Sequence, residues 1–136
     1  AHSEIRDGNW WNAQSRSFRT AWVIGFLDGK SATDEELRLL LSLGAMSKDM
    51  PPCSADCYAK MMEYGRNLSA AIDDFEKGYL GLSAGQIADG ISALYADYRN
   101  THIKVTDVEA VAVAQIRGGD LQQLQARIEY LRKNTK

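Results

Sequence analysis

The sequence predicts an all-α fold, a compact domain of about five or six helices. Apolar residues recur at intervals of three and four along most of the chain, which is the period of a helix with one buried face. The strict alternation that is typical of a strand is approached only over residues 102–106. Only 2 prolines interrupt the helical stretches, and 136 residues suit one domain of ordinary size. We therefore expect residues 1–136 to form a single helical domain.

Two helices are predicted in the first third of the chain. The first runs from about Trp10 to Asp28, and Gly29 follows as a residue that commonly ends helices. A second helix is predicted to begin at Thr33, where a capping box with Glu36 would satisfy the first backbone amides, and to end at Gly44. The aromatic residues of the first helix fall at spacings of seven, four and four, hence on one face: Trp11, Phe18, Trp22 and Phe26.

The third helix has the most regular pattern. It follows a predicted linker, residues 45–53, in which two adjacent prolines disfavour helix. Its apolar seam alternates spacings of three and four: Tyr58, Met61, Gly65, Leu68, Ile72, Phe75 and Tyr79. Such a 3.5-residue repeat favours packing along a neighbouring helix. We expect this seam to form the central core contact, with Asp73 and Asp74 on the solvated side.

A fourth helix begins after Ser83, which forms a predicted capping box with Gln86. Residues 100–102 interrupt the helical pattern after this element. The apolar stripe of the fourth helix repeats at helical spacing: Ile87, Ile91, Leu94, Tyr95 and Tyr98.

Two further helices complete the chain. A capping box of Thr106 and Glu109 is predicted to begin the fifth helix, and the glycine pair 118–119 ends it. Asp120 is the predicted cap of the sixth helix. The sixth helix repeats apolar residues at three, four and three: Leu121, Leu124, Ile128 and Leu131.

The charge and hydropathy of the chain exclude two classes of partner. The formal net charge is −2, whereas nucleic-acid binding usually requires a basic patch, so we expect no nucleic acid. The longest apolar run, residues 22–27, is far shorter than the roughly 20 residues that cross a bilayer, so no integral membrane segment is expected. The first residues, 1–4, suit a mature end left after removal of a signal peptide, although a trimmed tag would look the same. We expect a periplasmic or secreted protein.

The two cysteines, Cys53 and Cys57, follow the proline pair with three residues between them. Within a regular helix their Cβ atoms would lie about 5–6 Å apart, too far for a good disulfide. If Cys53 precedes the helix, closure becomes feasible and the bond would fix the helix start. We expect this disulfide. Two free thiols are one alternative, and a redox or metal role is another.

No motif in the sequence predicts catalysis, a cofactor or a metal. His102 lies in a predicted turn without the context of an activated nucleophile. The acidic run 34–36 fits the opening turn of a helix, and neither it nor the pair 73–74 has the spacing of an acid–base or metal site. Glycine-rich nucleotide-binding patterns are absent from the sequence. We therefore expect a non-catalytic protein.

Trp10 and Trp11 form the candidate interface. Adjacent residues of a helix cannot share one face, so at least one of the two is expected to be partly exposed or to lie under the N-terminal arm. Tryptophan is over-represented at recognition surfaces, although at helical spacing it more often belongs to a core. The expected occupant of this surface is a protein partner or a second copy of the chain.

Two segments carry a resemblance to a known family. The first spans residues 19–29 and contains Trp-Val-Ile-Gly-Phe-Leu-Asp; the second spans 86–100 and leads through Ile103 and Val105 into 108–118. Their order resembles small exported bacterial helical proteins. It is similar in outline to the periplasmic immunity proteins that neutralise amidase effectors of type VI secretion, whose early helix reads roughly Tyr-Val-x-Gly-x-x-Asp. The resemblance implies an exported helical inhibitor.

The sequence thus predicts a non-catalytic exported protein that binds another macromolecule. The alternatives are an immunity protein against a secreted amidase and a small hydrolase with a carboxylate-based site. An exposed apolar or aromatic patch would favour a binding protein, whereas a cleft with converging polar groups would favour an enzyme.

Overall fold

The computed structural model describes residues 5–46 and 54–135, and over these residues the protein is all-α, as predicted. The described chain contains no strand, although Asp7 and Lys104 form one isolated antiparallel bridge. A short 3-10 turn spans Tyr98–Asn100. Six α-helices follow one another in these ranges: α1 Gly8–Asn12, α2 Arg16–Met46, α3 Ala55–Lys77, α4 Ala84–Tyr95, α5 Val105–Ile116 and α6 Leu121–Asn134.

The chain divides into two compact units. The first unit comprises Ala1–Gly25 and Gly81–Lys136, and the second comprises Phe26–Leu80. Helix α2 is continuous from the first unit into the second. That residues 1–136 fold as one domain stays a prediction, which unfolding experiments can test.

The long helix α2 replaces the two predicted helices of this region. The prediction of an end at Gly29 and a new start at Thr33 is wrong, because the helix runs through both positions. Thr33 Oγ1 donates to the carbonyl of Gly29 at 2.9 Å, the four-residue back-bond of a helix interior, so it does not cap. The break lies earlier, between α1 and α2, where the amide of Phe18 donates to Ser15 Oγ at 3.3 Å.

The core of the first unit is built from α1, the start of α2, α4, α5 and α6. Tyr95 is buried at its centre, and its hydroxyl donates to the carbonyl of Ile103 at 2.7 Å. This burial raises the pKa of the Tyr95 hydroxyl. The most deeply buried apolar side chains, none more than 4% exposed, are Trp11, Val23, Ile87, Ala88, Ile91, Tyr95, Ile103, Val105, Val108, Val111 and Ala112.

Two of the three predicted caps in this unit are confirmed. Ser83 and Gln86 exchange both bonds of a capping box, at 3.1 and 2.8 Å. Asp120 caps α6 by accepting the amide of Gln123 at 2.9 Å.

The third predicted cap, formed by Thr106 and Glu109, is wrong. Helix α5 begins at Val105, whose amide donates to the carbonyl of Arg6 at 2.9 Å, so a distant backbone segment satisfies the helix start. Glu109 is buried, at 1% exposure, and lies in the second turn of α5, past the third helical position that a capping box requires.

The seam of α3 differs from the prediction along its length. Ile72 is 9% exposed, whereas Tyr58 and Met61 are each 46% exposed. The expectation that the whole seam forms the central core contact is therefore wrong for its N-terminal residues. The side chain of Phe75 lies outside the described part of the chain. Of the predicted linker, residues 45–46 belong to α2 and residues 47–53 lie outside the described ranges.

Candidate partner-binding surfaces

The three tryptophans of the chain meet where α1 lies beside the start of α2. The ring of Trp22 lies 6.2 Å from that of Trp10 and 5.7 Å from that of Trp11, both edge to face. Phe18, one turn before Trp22, lies 6.0 Å from Trp10 in the same geometry. Such pairs contribute about 0.5–1.5 kcal/mol each beyond the burial of their area, so the cluster fixes α1 on α2.

Trp11 belongs to the core of the first unit. Its side chain is fully buried, and its indole nitrogen donates to Ser92 Oγ at 3.0 Å. Arg19 donates to the carbonyls of Trp11 and Asn12, both at 3.0 Å, so its positive charge stabilises the C-terminal end of α1. Of the two predicted interface residues, Trp11 therefore offers no surface to a partner.

Trp10 lies partly exposed, as expected for one member of an adjacent pair. The guanidinium group of Arg6 lies 5.3 Å above its ring, in cation–π geometry. Phe18, on its other side, is 47% exposed. We call Arg6, Trp10, Phe18 and Trp22 the aromatic patch. These three neighbours cover part of the surface of Trp10.

A shallow groove of about 470 Å³ runs along the start of α2. Its charged side chain, Arg16, is exposed and pairs with Asp89 at 3.0 Å. The groove thus lacks the converging polar groups that orient a substrate in an enzyme site. Its lining consists of Arg16, Ser17, Thr20, Ala21, Ile24 and Gly85.

In the second unit, ion pairs join α2 to α3. Arg38 donates to Asp73 at 2.6 Å and to Glu76 at 3.0 Å. Lys30 lies 5.7 Å from the ring centre of Tyr79. Lys30 precedes Arg38 on α2, whereas its neighbour Tyr79 follows Asp73 and Glu76 in the sequence. The two helices therefore run antiparallel. Asp73 is therefore bound to a cation across the pair, whereas the sequence placed it on a plain solvated face.

The apolar seam of α3 is exposed at its N-terminal end, whereas Ile72 near its C-terminal end is buried. On α3, Met61 and Met62 are 46% and 38% exposed, and Tyr58 one turn earlier is equally open. We call these three residues of α3, Tyr58, Met61 and Met62, the open apolar surface. Sequence reasoning missed it as a site because the same spacing describes a core seam.

The residues considered for chemistry do not converge among the described residues. His102 is exposed in the connection after α4. The acidic run 34–36 lies inside α2, where Asp34 pairs with Lys30 at 3.5 Å, and not in an opening turn as predicted. The described residues contain no group of three side chains placed to hold a metal ion. No helix among them has both the length and the hydropathy to span a membrane.

The predicted disulfide stays a prediction. Cys57 lies in the first turn of α3, and its amide donates to Ser54 Oγ at 3.2 Å. Cys53 lies outside the described residues.

Asp97 organises the connection between α4 and α5. Arg99 donates to its carboxylate at 2.6 and 2.9 Å, and Arg132 of α6 does so at 2.8 Å. The hydrogen bonds from Arg99, with the positive charge of both arginines, hold the pKa of Asp97 well below its ordinary range. Arg132 also donates to Asn100 at 2.8 Å, so the network ties this connection to α6.

Comparison with known proteins adds no relative, since no family model, curated protein or solved structure matches this chain.

Proposed function

We propose that this protein is non-catalytic and acts by binding another protein through its open apolar surface. The observation that carries the proposal is the change in exposure along one seam of α3, from 46% at Met61 to 9% at Ile72. A helix that buries one end of its apolar seam and exposes the other end leaves apolar surface available to another molecule. Methionine suits such a contact because its flexible side chain adapts to different partners.

The aromatic patch supports the proposal less strongly than the open apolar surface. Trp10 is partly covered by Arg6, Phe18 and Trp22, so a partner would gain little additional burial there. Trp10 stays a predicted contact residue.

A hydrolase is less well supported than a binding protein. A carboxylate-based site needs two acidic groups that face a cleft and are open to substrate. Asp73 and Glu76 lie one turn apart on α3, but both accept hydrogen bonds from Arg38. Their geometry is that of an ion pair that holds two helices together.

The experiment is affinity capture with matched surface variants. Met61→Ser combined with Met62→Ser removes two exposed side chains of the open apolar surface, and the fold should tolerate the changes because both positions lie at the surface. Leu121→Ser with Tyr130→Ser, at positions 73% and 56% exposed on α6, is the control. We expect the wild type and the control, but not the first variant, to retain one protein in stoichiometric amount from an extract of the source cells.

Two results would contradict the proposal. Retention of the same protein by all three forms would exclude the open apolar surface as the contact. Retention of nothing beyond what an empty matrix retains would exclude tight binding of a protein altogether.

The resemblance to immunity proteins supports a finer proposal, in which the partner is a secreted amidase effector. Addition of the purified chain to such an amidase should then stop its hydrolysis of peptidoglycan at equimolar amounts. Unchanged hydrolysis across a panel of these effectors would contradict the immunity proposal. It would not contradict protein binding, which the capture experiment tests.

Export to the periplasm or the medium is part of this finer proposal, and it predicts a disulfide between Cys53 and Cys57. Both thiols should resist alkylation in freshly purified protein and react after reduction. Labelling of both cysteines before reduction would contradict the disulfide.

A further inference from the structure

We propose that α2 contains a hinge, and that a second, less populated state of the protein breaks this helix between Gly29 and Thr33. In the structure the helix is continuous over Arg16–Met46. The sequence of the same segment nevertheless contains the signals for a helix end and for a new helix start. This inference does not depend on the proposed function.

Gly29 supplies the signal for a helix end. It is exposed, and a Cβ at this position would meet nothing within 4 Å, so close packing does not require a glycine here. Glycine is unfavourable inside a helix, whereas it is common just past a helix end. Gly29 therefore weakens the continuous helix and suits the broken one.

Thr33 and Glu36 supply the signal for a new start. In the structure Thr33 Oγ1 donates to the carbonyl of Gly29 at 2.9 Å, and a back-bond of this kind slightly destabilises a helix. Once the helix breaks before Thr33, the same oxygen can accept the amide of Glu36. The exposed carboxylate of Glu36 can in turn accept the amide of Thr33, which completes a capping box. The broken state thus regains hydrogen bonds in place of those it loses.

Charge acts on both states. In the broken state the acidic run 34–36 lies in the first turn of a helix, where negative charge is favourable. In the continuous state Lys30 and Asp34 form an ion pair at 3.5 Å that spans the proposed break. This ion pair favours the continuous helix, in agreement with its being the more populated state.

The proposed break lies beside the boundary between the two units. Within α2 the first unit ends at Gly25 and the second begins at Phe26. The chain crosses the boundary again at Gly81, whose φ of +78° is a left-handed conformation that ends helices. A break after Gly29 would let the rest of α2 change direction, because a hinge concentrates the change of backbone angles in a few residues.

Native-state hydrogen exchange, measured for each amide by NMR in the full chain, tests this inference. In the broken state the amides of residues 31–35, which we call the break segment, lose their helical partners. The amides of residues 22–27 and 37–40 keep theirs. We expect the break segment to exchange at least about tenfold faster than both flanking stretches, after correction for intrinsic rates.

Two matched double variants assign the exchange to the proposed break. Gly29→Ala with Thr33→Ala removes both signals, so it should slow exchange of the break segment by about tenfold or more. Gly25→Ala with Thr20→Ala is the control, because Gly25 is equally open and Thr20 back-bonds to the carbonyl four residues earlier at 3.1 Å. Both control positions stay helical in the broken state, so exchange of the break segment should change by less than about twofold.

Three results would overturn the inference. Exchange of the break segment no faster than that of its flanks would show that it opens only together with them. Equal slowing by the two double variants would assign the opening to helix propensity alone. Unchanged exchange in the Gly29 and Thr33 variant, with a helical circular dichroism spectrum like that of the wild type, would exclude these signals as its cause.

Discussion

Gly8 lies where the N-terminal segment passes the ring of Tyr95. Its amide donates to the carbonyl of Thr101 at 3.0 Å, and a Cβ at this position would lie 2.5 Å from Tyr95 Cδ1 and 2.8 Å from Thr101 Cα. Any side chain here must push the segment away from the core. We expect Gly8→Ala to lower the free energy of unfolding by about 1–3 kcal/mol, the usual cost of overpacking.

Gly25 provides the control for this prediction. It lies inside α2 in the same unit, and a Cβ there would meet nothing within 4 Å. Gly25→Ala should therefore raise the free energy of unfolding by about 0.5–1 kcal/mol through helix propensity. Urea melts of both variants test this prediction. If both changed the free energy of unfolding by the same amount in the same direction, the close packing at Gly8 would not be needed for stability.

Asp97 should make the stability of the protein depend on pH in the acid range. Because its pKa is lowered in the folded state, its contribution to stability is present above its ordinary pKa of about 4 and is lost as the pH falls below that value. The difference in unfolding free energy between wild type and Asp97→Asn should therefore shrink from about pH 5 to about pH 2. If this difference in unfolding free energy stayed constant over the range, the ionised carboxylate of Asp97 would not be what stabilises the network.

At the scale of helices, the same local signal had two outcomes. Ser83 caps α4 as predicted, while Thr33, with an equivalent capping box in the sequence, lies inside α2. The difference lies in the preceding glycine. Gly81 has a φ of +78°, a left-handed conformation that ends the earlier helical path, whereas Gly29 stays in helical geometry. A glycine costs only about 1 kcal/mol within a helix, so the sequence alone does not determine which glycine will interrupt one.

This contrast gives a paired prediction. Ser83→Ala should cost about 1 kcal/mol because it removes a bond to the amide of Gln86. Thr33→Ala should stay within about 0.5 kcal/mol of wild type, since Thr33 bonds to a carbonyl that already belongs to a helix interior and alanine has the higher helix propensity. Thermal unfolding followed by circular dichroism would show the difference. A cost at Thr33 equal to that at Ser83 would indicate a helix start there.

The candidate site shows where periodicity stops being informative. The spacing of Tyr58, Met61 and Ile72 correctly places them along one seam of a helix, but a repeat of this kind indicates only that a neighbour is expected. It does not distinguish a neighbour in the same chain from one in another molecule. Ile72 is buried next to Asp73, which pairs with Arg38 of α2, whereas Met61 lies three turns nearer the start of α3 and is exposed.

At the scale of the whole molecule, the division into two units raises the question of cooperativity. Helix α2 passes without interruption from one unit into the other, so unfolding of one would break a helix of the other. That residues 1–136 form a single domain stays a prediction. The all-α class of the fold is confirmed, and the sequence pattern predicted it without any long-range information.

The positions of the aromatic residues allow a direct test. All 3 tryptophans, Trp10, Trp11 and Trp22, lie in the first unit, so tryptophan fluorescence reports on that unit, whereas far-UV circular dichroism reports on the helices of both. If the chain is one cooperative domain, the two signals should give coincident urea transitions with the same midpoint and slope. A loss of helical signal before the fluorescence changes would show that the second unit unfolds independently. The open apolar surface would then lie on a unit that a partner has to stabilise by binding, because a ligand that binds only the folded state shifts unfolding to higher urea.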